Sequence, residues 1–73
     1  MSDPAREQFR QSMTQRINQL KLALKRFEES EAAFKIVEAG GQDVTDEMSN
    51  LNQQRERTLS MIKEAEKQLA SIK

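Results

Sequence analysis

The sequence has no cysteine, no histidine, no tryptophan and no tyrosine, and only one proline and two glycines. Each absence removes a class of chemistry. Without cysteine there are no disulfides and no thiolate metal sites. Without histidine the chain lacks the commonest metal ligand and the commonest general base near neutral pH. Serine is present, but neither histidine nor cysteine is there to activate or replace it as a nucleophile. The chain reads as a non-enzyme, with no catalytic residue, no metal and no cofactor.

Long apolar runs are also missing. None approaches the roughly 18–20 residues of a membrane span, and no signal-peptide core follows Met1. The chain therefore reads as cytoplasmic, with no membrane partner. Aromatic residues make up 4 % of the sequence, all of them phenylalanine, so any core is thin for 73 residues. Chains this small usually need disulfides, a metal or association with another chain to be firmly stable. Association is the stabiliser left.

What the sequence does contain is a long helical period. Met13, Ile17, Leu20, Leu24, Phe27, Phe34 and Val37 recur at spacings of three, four and seven, which places them on one helix face. Ser2, Asp3 and Pro4 form a helix start, with Asp3 as the cap and Pro4 in the first turn. Nothing breaks the helix until Gly40 and Gly41, and a glycine pair suits the left-handed backbone just past a helix end. Asp43 or Thr45 then caps a second helix, with Asp46 and Glu47 near its positive end. The expected organisation is one domain over 1–73: helix 4–39, turn 40–45 and helix 46–72. The acids around the turn lack the alternating ligands of a calcium loop, and the glycine pair lacks the lysine of a phosphate loop. Both are read as structural.

In a heptad frame with Ile17 and Leu24 at a, residues Met13, Leu20, Phe27 and Phe34 fall at d. In the second helix Met48, Ile62 and Leu69 take a, and Leu51, Ala65 and Ile72 take d. A short turn makes facing residue numbers sum to about 85 in an antiparallel hairpin. Leu20 then meets Ala65, Ile17 meets Leu69, and Phe27 meets Thr58 or Leu59. Glu31 and Arg55 interrupt the two stripes at a and land opposite each other. Together they are read as a polar layer that sets the register.

The stripe is wider than one neighbour needs. Phe9, Ala23, Ser30 and Val37 extend it at position g, and Leu59 and Met61 flank the second helix. Such breadth suits a helix with two or more neighbours. Phe9 has no facing residue within the sequence under the same sum. The fold class expected is thus all-α: an antiparallel, coiled-coil-like two-helix hairpin that dimerises into a four-helix bundle. The residues assigned to the interface are Phe9, Met13, Leu20, Ala23, Leu24, Phe27, Ser30, Phe34, Val37, Leu59 and Ile62.

Charge orients the pair. Residues 1–26 carry a net +4, residues 27–50 a net −6 and residues 51–73 a net +2. Two hairpins with turns at opposite ends set acid against base, whereas parallel hairpins stack acid on acid. The expected partner is protein, either a second copy in antiparallel alignment or a helical partner chain. A secretion-type chaperone that covers a partner's helix fits the same outline. Nucleic acid takes a lower place: Arg6, Arg10, Lys21 and Lys25 offer phosphate contacts, but their positions d, a, e and b do not line one face. In architecture the expected dimer resembles the Rop-like RNA-binding helical dimers, with no recognition motif matched.

Overall fold

A computed structural model of the protein describes residues 3–72; Met1, Ser2 and Lys73 lie outside it, and with them the part of the helix start read at Ser2. Two helices, α1 (Pro4–Ala39) and α2 (Thr45–Ala70), pack against each other as a hairpin. The result is a rod 62 × 14 × 12 Å. Its radius of gyration is 17.1 Å, against about 11 Å for a compact domain of this length.

Local chemistry sets the helix ends. Asp3 Oδ1 accepts a hydrogen bond from the Ala5 amide at 3.0 Å, with Pro4 in the first turn. Four amides are orphaned at a helix start, and this carboxylate satisfies one of them. At the other end of α1, the Gly41 amide donates to the Glu38 carbonyl at 2.9 Å and the Gln42 amide to the Val37 carbonyl at 3.4 Å. This 5→2 and 6→1 pairing is a Schellman motif, and it requires a left-handed residue just past the cap. Gly41 supplies it with φ +98°, while Gly40 stays in the ordinary helical region.

The two glycines are therefore not equivalent. An alanine at 41 meets no atom within 4 Å, so its cost is backbone strain alone. We expect Gly41→Ala to destabilise the hairpin by about 1–2 kcal/mol. In a thermal melt that is a drop of roughly 4–8 °C per kcal/mol for a domain of this size. Gly40→Ala keeps an ordinary helical backbone and places its Cβ 3.3 Å from the Val37 carbonyl oxygen, a contact that a shift of a few tenths of an ångström relieves, so it should lose less. Equal losses at the two positions would mean that the left-handed turn is not what joins the helices.

The second helix starts with Val44 at the cap position and no side-chain cap of its own. Asp43 compensates from one residue earlier. Its Oδ1 accepts from the Thr45 hydroxyl at 2.6 Å and from the Thr45 amide at 3.0 Å. The hydroxyl bond first, then the amide bond, holds the Asp43 carboxyl below the usual aspartate range.

Inside the hairpin, Met13, Ile17, Val44, Leu51, Ile62 and Ala65 are buried, with Thr58 the one buried polar residue among those described. Leu20, Leu24, Phe27 and Phe34 are half-buried along the same seam. Met13, Ile17 and Ala65 form a cluster with Leu69 packed against it. Thr58 turns inward at 8 % exposure and Leu59 outward at 41 %, so the seam keeps its strict heptad through this layer. No large side chain among the described residues is fully buried. Two helices alone cannot surround one.

Candidate interaction surface

The residues assigned to assembly divide into three groups. Met13 and Ile62 lie buried between α1 and α2. Leu20, Ala23, Leu24, Phe27 and Phe34 are half-buried, one side against the neighbouring helix and the other toward solvent. Phe9, Ser30, Val37 and Leu59 are exposed. A half-buried phenylalanine or leucine leaves a sizeable part of its apolar surface in water, at about 25 cal/mol per Å².

Phe9 is the clearest case. Every residue from 3 to 12 is exposed, because α1 runs past the level at which α2 ends. Its ring sits on that overhang, 49 % exposed. Val37 lies toward the far end of the same helix flank, and between the two, at the level of Ala23, Met61 is 39 % exposed on α2. Arg16 and Met61 line one shallow groove with Met13, Glu64, Ala65 and Gln68, which places the g flanks of the two helices on one side of the rod. Leu59 lies on the opposite side, in a groove with Glu56, Lys63 and Glu66.

The polar layer is built from three charges. Arg55 Nη1 lies 3.3 Å from Glu31 Oε2, and Lys35 Nζ lies 3.3 Å from Glu31 Oε1. Lys35 is one helical turn from Glu31 and largely exposed, so its pair contributes only about 0.3–0.5 kcal/mol. The Arg55 pair crosses between helices and is partly screened from water. It is not fully satisfied: Arg55 Nε is buried without a hydrogen-bond partner. An unmet buried donor costs about 1–3 kcal/mol. Any sliding of one helix past the other would bury Glu31 and Arg55 against apolar side chains. The double variant Glu31→Leu/Arg55→Leu should melt at or above the parent temperature. A melting point several degrees lower would show instead that the ion pair is a net source of stability.

The sequence pattern did not reveal Val44. It lies in the turn, where helical periodicity gives no signal, yet it is buried at 6 %. Only its position between two capping residues could have hinted at it. Ile36 and Leu22 point outward at 74 % and 53 % exposure and join neither seam nor flank. Single apolar residues of this kind are ordinary on protein surfaces. Among the described residues, no helix is long and apolar enough to cross a membrane.

Comparison with protein-family models, with curated proteins and with solved structures gives no match for this chain. The surface itself has to carry the functional reading.

Proposed function

We propose that the chain is a non-enzymatic protein–protein interaction module of the cytoplasm, a helical-hairpin adaptor or regulator. A second copy, lying antiparallel, completes its core as a four-helix bundle. The observation that carries this reading is a surplus of surface. The chain exposes 5931 Å², whereas a compact 8.4 kDa monomer exposes about 4,600 Å². Two copies folded into one compact body would expose about 7,700 Å². Their union thus has at most roughly 4,000 Å² to remove, and even half of that reaches the size of homodimer interfaces.

Charge favours the same partner and gives its direction. The half of the rod holding the turn, residues 27–58, has eight acids and three bases, a net −5. The half holding both ends has nine bases and four acids, a net +5. Laid antiparallel, each half meets its opposite. A single exposed pair contributes little, but several act together here.

Melting followed by helical circular dichroism over a hundredfold range of protein concentration tests the proposal. Self-association predicts a midpoint that rises with concentration, because only the folded state binds its partner. A midpoint independent of concentration would point to a foreign helical chain, as in a chaperone, as the occupant of the stripe.

A further inference from the structure

Resting on the self-association just proposed, we infer the face and the register: two copies meet along the g flank of α1, on a twofold axis that passes beside Ala23. Four sides of the rod are available, and they differ in chemistry; the outer face of α2, with Gln53, Ser60 and Lys67, is polar. The e flank carries Lys21, Glu28, Lys35 and Glu66 around Leu59. The outer face of α1 has Leu22 and Ile36 separated by Glu29. The g flank alone joins exposed Phe9 and Val37 to the half-buried Ala23, with exposed Met61 on the same side of α2.

Symmetry then fixes the alignment. In a twofold interface, if residue i meets residue j, then j meets i. Stacking two hairpins face to face and antiparallel sets α1 against α1 of the second copy, and α2 against α2. Phe9 and Val37 stand fourteen residues to either side of Ala23, about 21 Å in each direction along the helix. An axis at Ala23 therefore lays Phe9 of one copy over Val37 of the other, twice. The small side chain at the axis lets the helices approach closely. On α2 the level facing Ala23 is that of Ile62, so the two Met61 side chains also meet beside the axis.

Charge agrees with this register. Arg16 falls opposite Ser30, at the level of Glu28 and Glu29 of the second copy. Arg10 falls opposite Ile36, near Glu38. Sliding one copy along the other by a heptad would separate Phe9 from Val37 in either direction, moving the basic halves onto each other one way and the acidic halves onto each other the other way. In each case the halves of the other sign would be left without partners.

The absence of native cysteine makes the test direct, because each engineered thiol reports one position. Ala23→Cys, Phe9→Cys, Val37→Cys and Leu59→Cys are compared under mild oxidation at micromolar concentration, with mass in solution measured on the reduced samples. Thiols held together have an effective concentration in the millimolar range. Ala23→Cys should therefore form the cross-linked dimer roughly a hundredfold faster than Leu59→Cys. Phe9→Cys and Val37→Cys, mixed and allowed to exchange, should cross-link to each other and not to themselves. A dimeric mass with Phe9→Cys linking to itself, or with Leu59→Cys outpacing Ala23→Cys, would overturn the face and register while leaving self-association standing. A monomeric mass for reduced Ala23→Cys and Leu59→Cys, which keep Phe9 and Val37, would overturn both.

Discussion

Ile17→Asp should abolish the fold. Ile17 is 5 % exposed, packed with Met13 and Ala65 in the best-formed part of the seam. Removing its side chain forfeits about 2–5 kcal/mol through lost burial and the cavity left behind. An aspartate adds the desolvation of a carboxylate with no cation arranged to receive it. A domain of this length holds only about 4–11 kcal/mol of stability in total, and the thin core places this one at the lower end. Far-UV circular dichroism should show the helical signal largely lost. Ile17→Val, which keeps the shape and trims one methyl, should stay folded and cost about 0.5–1.5 kcal/mol. A folded, fully helical Ile17→Asp would contradict the seam as drawn.

Phe9→Asp should do the opposite: keep the helices and lose the partner. The side chain is half-exposed on the overhang of α1, so its replacement removes little that holds α1 to α2. In the assembled pair, burying the half of the phenylalanine that stands exposed contributes about 0.8–1.5 kcal/mol. Twofold symmetry applies the loss twice, so the dissociation constant should rise by roughly one to two orders of magnitude. Helicity measured above that constant should match the parent, and sedimentation should show the shift toward a lighter species. An unchanged dissociation constant would remove Phe9 from the interface and leave its exposure without a use.

These two residues mark where sequence periodicity stops being informative. That the chain is helical, and that two helices pack together, follows from a 3.6-residue period interrupted by one glycine pair. The facing of Glu31 and Arg55 could be read because a charge inside an apolar stripe is costly unless an opposite charge lies across from it. The layer at Thr58 and Leu59 was ambiguous, since both lie near the seam and hydrophobicity favours leucine; the packing instead keeps the heptad and buries the threonine. The start of α2 was open between Asp43 and Thr45. The structure puts Val44 at the cap and links those two residues to each other.

The interface was less legible for a physical reason. Apolar side chains at Met13 and Ile62 serve the contact within one hairpin, and those at Phe9 and Val37 face outward, yet both pairs obey the same helical period. Burial in the folded chain separates them. It cannot be derived from spacing alone, because it depends on how far α1 outruns α2 and on which flank the neighbouring helix occupies.

The measurement that tests the central claim most directly is the mass of the parent protein in solution by light scattering, with helicity recorded on the same samples through dilution. Completion of the core by a second copy predicts about twice the chain mass of 8.4 kDa, with mass and helicity falling together on dilution. A fully helical monomer at every concentration would contradict it.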